Sequence, residues 1–145
     1  MGVGIPANQA DDVPQARVDE SLIHLDTGFL IRATKRGSTE YDVLRNWVAR
    51  GLRIEISVIA WSEFLCGPID DTGLELATRI VGDPQPLLIA DAKLAAEFFN
   101  LSERRRGHLA DCTIAATAVR LGAALATINA RDFRDCRGLR MASDE

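Results

Sequence analysis

Short apolar runs alternate along this chain with longer stretches whose apolar residues recur every three or four positions. The first run is Leu22-Ile-His-Leu25, and Ile54, Ile56 and Val58 alternate with polar residues as a second. Pro86-Leu-Leu-Ile89 reads as a third strand, Leu125-Ala-Thr-Ile128 as a fourth, and Leu139-Arg-Met141 as a short fifth. Helical spacing fills the gaps. One short helix runs through Phe29–Ala33 and stops at Gly37. A second places Tyr41, Leu44, Trp47 and Val48 on one face and stops at Gly51. A third carries Glu63 and ends at Gly67-Pro68, and a fourth has Leu76, Ala77, Ile80 and Val81 inward with Gly82 after it. Asp91 opens a fifth, with Leu94, Ala95, Phe98 and Phe99 inward, and Asp111 opens a sixth, with Ile114, Ala115, Ala118 and Val119 inward. Thr39-Glu-Tyr-Asp42 and Thr72-Gly-Leu-Glu75 fit capping boxes.

Strands alternating with helices or helix pairs predict an α/β fold, a three-layer sandwich around a central, mostly parallel sheet of four to five strands. Residues 1–20 show no sustained periodicity and are expected to be a disordered N-terminal leader. Residues 21–145 then form a single domain, with no repeat, linker or second domain in the pattern.

Composition narrows the class. The chain has 145 residues, 47% hydrophobic and 26% charged, which suits one soluble globular domain. It has no apolar run of the roughly 18 residues a membrane span needs, and residues 1–19 lack the basic start and apolar stretch of a secretory signal. Cys66, Cys112 and Cys136 are odd in number and far apart, so they form neither a zinc spacing nor a disulfide framework. A reducing cytoplasm is the expected setting. The net charge of −4 hides an uneven distribution. Residues 1–20 set four acids against Arg17, whereas residues 103–140 set eight arginines against four acids.

Four acids stand where apolar runs give way to helices or turns: Asp26, Glu63, Asp111 and Asp132. Ligands of open parallel sheets bind beyond the carboxyl ends of the strands, so these positions converge on one crevice. Crowded carboxylates repel unless a hard cation sits between them. Mg²⁺ takes oxygen ligands at roughly 2.0–2.1 Å and keeps several waters, so two or three carboxylates hold it while a water is left to attack. A second ion about 3.5–4 Å away would stabilise the leaving oxygen of an in-line displacement. That is divalent-metal chemistry on phosphate.

Singly, each acid has a plainer reading. Asp111 fits an N-cap, Glu63 a solvated helix residue, Asp132 a turn acid, and Asp91 reads as a cap outright. The combination shifts the balance for the first three and Asp26. His24, inside an apolar strand, reads as a hydrogen-bonded core histidine rather than a base. His108 beside three arginines has no firm role. Arg104, Arg105 and Arg106 end a helix, where cations are favoured in any case, and phosphate binding there stands level with solvation.

At this point the residues resemble a family. Leu25-Asp26-Thr27-Gly28-Phe29-Leu30-Ile31 looks like the opening motif of PIN-domain nucleases. Residues 56–67, with Glu63, resemble their second motif, residues 104–118, with Asp111, the third, and Thr127-Ile-Asn-Ala-Arg-Asp132-Phe133 the fourth. The resemblance covers residues 22–141, and its spacing is similar to that of VapC-type toxins of bacterial toxin–antitoxin pairs. It implies Mg²⁺- or Mn²⁺-dependent endonucleolytic hydrolysis of RNA, a homodimer, and inhibition by a cognate VapB-type antitoxin whose tail enters the active groove. Asp26 and Asp111 would be the main metal ligands, Glu63 and Asp132 would complete the catalytic quartet, and Thr127 and Asn129 would orient groups beside the fourth acid. Arg104, Arg105 and Arg106 would meet RNA or antitoxin. Two departures stand out: Gly28 where the family commonly has Asn or Ser, and Ala60 where Thr is frequent.

Other functions fit less well. A phospho-accepting receiver wants a strand-end lysine, and residues 123–129 contain none. An Asp-nucleophile phosphohydrolase wants a second Asp where Gly28 stands. The remaining alternative is a non-catalytic RNA- or antitoxin-binding module of the same fold, which would have no need of four intact acids.

Overall fold

The computed structural model describes residues 18–102 and 107–143. Four parallel strands form one sheet: β1 (Leu22–Leu25), β2 (Arg53–Ile56), β3 (Ala124–Ala126) and β4 (Arg140–Met141), in the order β2-β1-β3-β4. The helices are α1 (Thr27–Ala33), α2 (Thr39–Ala49), α3 (Val58–Cys66), α4 (Asp71–Val81), α5 (Ile89–Leu101) and α6 (Leu109–Leu121), with a 3₁₀ turn at Ala130–Phe133. A parallel sheet flanked by helices is the α/β sandwich the alternation predicts. Because β1 and β3 are central neighbours running the same way, Leu25 pairs with Ala126 and the residues after both strands emerge side by side. This places Asp26 next to Thr127.

Several boundaries differ from the sequence reading, each for a local reason. Pro86–Ile89 is not a strand. Only Gln85 bridges, to Ser57, and Ile89 begins α5 because the Asp91 carboxylate accepts the Leu88 N–H at 2.9 Å and starts the helix early. Val58 belongs to α3 rather than β2, since the Ser57 hydroxyl caps that helix by accepting the Ala60 N–H at 3.1 Å. The caps of α2 and α4 are Ser38 and Asp70, ahead of Thr39 and Thr72. Asp70, for instance, accepts the Gly73 N–H at 2.7 Å. Helix α6 starts two residues earlier, at Leu109, and Asp111 lies in its first turn. The fourth apolar run forms strand only to Ala126, where Thr127 turns away.

The core is continuous across the sheet. Leu25, Ile56 and Leu125 from the strands meet Leu30, Trp47, Phe64 and Ile114 from the helices, and Phe29 stacks on Trp47 at 5.5 Å. Val48, placed on the inner face by spacing, is 48% exposed, so the buried stripe of α2 is narrower than its pattern suggests. Asp19 ties the start of the described chain to the domain: its N–H donates to the Gly122 carbonyl at 2.9 Å, and the Arg140 guanidinium donates to the same oxygen at 2.9 Å. The expected leader otherwise falls outside the described residues. All three cysteines are free.

Two polar features lie inside the fold. Asp91, 1% exposed, pairs with the Arg120 Nε at 2.7 Å and so joins α5 to α6. His24 is fully buried on β1, yet neither ring nitrogen has a hydrogen-bond partner. The sequence reading of a satisfied histidine is therefore corrected. The neighbouring strand positions, Glu55 and Leu125, offer it no bond, and burial holds its pKa down to about 4, with the nearby Arg120 charge adding to the effect.

Candidate active site

Asp26 is the first residue past β1 and the N-cap of α1, an extended residue whose carboxylate turns back on its own helix. Its Oδ1 accepts the Thr27 N–H at 2.9 Å, and its Oδ2 accepts the Thr127 hydroxyl at 2.8 Å. Thr127 is held in turn, its oxygen accepting the Asn129 N–H at 3.0 Å. Thr127 thus grips the first acid of the set, and Asn129 contributes its backbone N–H.

Glu63 lies on α3, which packs against α1. The Thr27 hydroxyl reaches it at Oε1, 2.9 Å away. One residue thereby touches two acids 37 positions apart: its N–H meets Asp26 and its hydroxyl meets Glu63. Asp111, half-buried in the first turn of α6, has its Oδ2 3.3 Å from Nδ1 of the buried His108.

The electrostatics join these groups into one site. Burial, above all, drives the Asp26 carboxyl up from 3.8 to about 6, against the pull of the Thr127 and Thr27 hydrogen bonds; the negative charges of Asp111 and Glu63 push the same way as burial. The structure therefore brings Asp26, Glu63 and Asp111 together at the carboxyl end of the sheet. Asp132 stands on the 3₁₀ turn after β3, its N–H bonded to the Asn129 carbonyl at 2.9 Å. Among the described residues, no three His, Cys, Asp or Glu side chains close around a point that would hold an ion. The arrangement is open, with all-oxygen donors and an excess of negative charge. That donor set fits a hard divalent cation which takes one or two carboxylates and keeps its waters.

Gly28 has a structural cause. A Cβ there would meet Ile128 Cδ1 at 3.0 Å, so the Ile128 side chain fills the space beside Asp26 that a side chain at position 28 would need. Ala60 is fully buried, and its carbonyl lies 3.4 Å from the Thr27 hydroxyl. Sequence reasoning passed over Thr27. The available signal was a hydroxyl directly after a strand-end acid, at the start of a helix. Arg104, Arg105 and Arg106 fall outside the described residues. A groove of about 540 Å³ lined by Arg36, Tyr41, Glu75 and Arg79, among others, contains none of the four acids.

Comparison with known proteins bears on the family and the fold. A family model described as PIN domain matches residues 23–139. No curated protein sequence matches the chain. Among solved structures, VapBC2 from Rickettsia felis bound to a DNA fragment from its promoter aligns with a TM-score of 0.67 and 18% identity, over 83% of this chain and 97% of that one. VapBC-1 from nontypeable Haemophilus influenzae aligns with a TM-score of 0.63 and 22% identity, over 85% and 98%. FitAcB from Neisseria gonorrhoeae gives 0.60 and 17%, over 84% and 97%. At these identities the likeness to solved structures is one of fold.

Proposed function

This chain belongs to the PIN-domain family, and from that premise we propose that it is a divalent-metal-dependent endoribonuclease, the toxin member of a bacterial toxin–antitoxin pair. The observation that carries the reading is the meeting of Asp26, Glu63 and Asp111 at the carboxyl end of the sheet, where burial and mutual charge make Asp26 reluctant to ionise. A site built only for stability would not crowd acids in this way.

Asp26 and Asp111 would hold Mg²⁺ or Mn²⁺, with Glu63 and Asp132 completing the acidic set directly or through water. When bound, the ion supplies positive charge for the phosphate and acidifies attacking water. Thr127 and the Thr27 N–H fix the Asp26 carboxylate in one orientation while leaving each oxygen a lone pair for a ligand. Arg104, Arg105 and Arg106 would grip the phosphate backbone of RNA, or carboxylates of an antitoxin tail, with the same forked donors. The solved VapBC and FitAB complexes of like fold support an antitoxin partner. Action in the cytoplasm as a homodimer completes the proposal, and no helix among the described residues is long and apolar enough to cross a membrane.

The test is brief induction of the chain in a bacterial host, followed by sequencing of RNA 5′ ends. New ends at defined sites, absent when Asp26→Asn is induced to the same level, are the expected result. Identical end profiles for the two proteins would remove the nuclease reading and leave the non-catalytic binding module.

A further inference from the structure

We propose that Thr27 is a positioning residue that holds Glu63 beside Asp26 and so sets the metal affinity of the site, an inference that rests on the nuclease reading above. Glu63 is exposed on α3, with a long side chain whose ordering is entropically unfavourable, and Asp26 and Asp111 carry charge of the same sign. Both effects favour a Glu63 carboxylate turned outward into water. It nevertheless stays 2.9 Å from the Thr27 hydroxyl.

That hydroxyl is well suited to the task. Thr27 is the first residue of α1, adjacent to the Asp26 cap, and its backbone N–H is already committed to Asp26 Oδ1 at 2.9 Å. A β-branched side chain at a helix start has few χ1 choices, so its oxygen points in a set direction. A hydroxyl donates one hydrogen, and the Ala60 carbonyl at 3.4 Å is the poorer acceptor, so the proton goes to Glu63. Asp26 Oδ1 and Glu63 Oε1 are therefore both fixed relative to one residue's backbone and hydroxyl, and their spacing follows from the geometry of Thr27 itself.

The conservative pair Thr27→Val and Thr27→Ser separates this role from packing. Val keeps the branched shape and deletes the donor, whereas Ser keeps the donor and deletes the methyl. Mn²⁺ binding to the purified full chain is read directly by electron paramagnetic resonance, and RNA cleavage is measured in parallel against Mn²⁺ concentration. Thr27→Val should weaken Mn²⁺ binding by roughly 10–100-fold, the usual loss when a partner of a metal ligand is removed. Half-maximal cleavage should move to higher Mn²⁺ by the same factor, with KM for RNA unchanged at saturating metal, and Thr27→Ser should lie within about threefold of wild type. Equal Mn²⁺ affinity for Thr27→Val and wild type would overturn the assignment to Thr27, as would Thr27→Ser failing as badly as Val. A wild-type protein that neither binds Mn²⁺ nor cleaves RNA would instead bring down the parent reading, and this one with it.

Discussion

Replacing Asp26 by Asn should stabilise the metal-free protein while abolishing its activity. Folded Asp26 keeps its proton up to about pH 6, whereas the unfolded chain releases it near 3.8. Between those values the folded state binds more protons, so the contribution of this group is greatest below 3.8 and is lost as pH rises through 6. About two pH units at 1.36 kcal/mol each is roughly 3 kcal/mol of destabilisation carried by the wild type at neutral pH. Asn keeps the shape, offers a carbonyl to the Thr27 N–H and removes the charge. A gain of about 1–3 kcal/mol at pH 7.5 follows, which for a domain of this size raises Tm by roughly 3–10 °C. Urea unfolding in EDTA at pH 7.5, 5.5 and 4 measures it, and the two proteins should converge at the lowest pH. Saturating Mn²⁺ should reverse the order, because an ion at about 1,000 times its Kd stabilises only the protein that binds it, by about 4.1 kcal/mol. An Asn variant no more stable than wild type at pH 7.5 in EDTA would refute the reasoning, since the acid would then not be crowded.

Two interior features offer independent checks. His24→Leu removes a buried imidazole with both nitrogens unpaired and should raise stability by about 1–3 kcal/mol at pH 7. Folded His24 titrates near 4 against 6.5 for the unfolded chain, so its contribution is lost as pH falls from 6.5 toward 4, opposite in sign to Asp26; in the Asp26→Asn background that loss should be visible in denaturant titrations and absent from His24→Leu. Arg120→Ala leaves Asp91 buried without its cation and should cost about 3–5 kcal/mol in the same measurement, whereas Arg120→Met with Asp91→Leu should restore most of it.

The sequence carried the fold wherever a period extended over several turns. Leu22–Leu25, the buried faces of α4 and α6 and the glycine stops are all visible as spacing, because burial on one face of a helix or strand imposes that spacing directly. It failed where an apolar run was short. Pro86–Ile89 has the composition of a strand, but a run of four residues cannot be told from a helix start, and Ile89 is 92% exposed in the first turn of α5. Asp91 reads as an N-cap but lies in the first turn of α5, where it accepts the Leu88 N–H, and its buried partner Arg120 lies 29 positions away with no local pattern to announce it. The same holds at the site. Each acid was legible from its place after an apolar run, whereas the bonds that arrange them, Thr127 to Asp26 and Thr27 to Glu63, span 101 and 36 residues and arise only from the parallel pairing of β1 with β3 and the contact of α1 with α3. Asp132 was legible in the same way, and the structure places it on the 3₁₀ turn that follows β3.

The central claim is that the acids at the end of β1 and the start of α6 cut RNA with a divalent ion. It is tested most directly by incubating purified protein with a labelled structured RNA in Mn²⁺, in excess EDTA, and with Asp111→Asn whose folding has been verified by circular dichroism. The account predicts cleavage at discrete sites by wild type in Mn²⁺, none in EDTA, and none by Asp111→Asn at any Mn²⁺ concentration. Undiminished cleavage in EDTA, or by the folded Asp111→Asn protein, would contradict it.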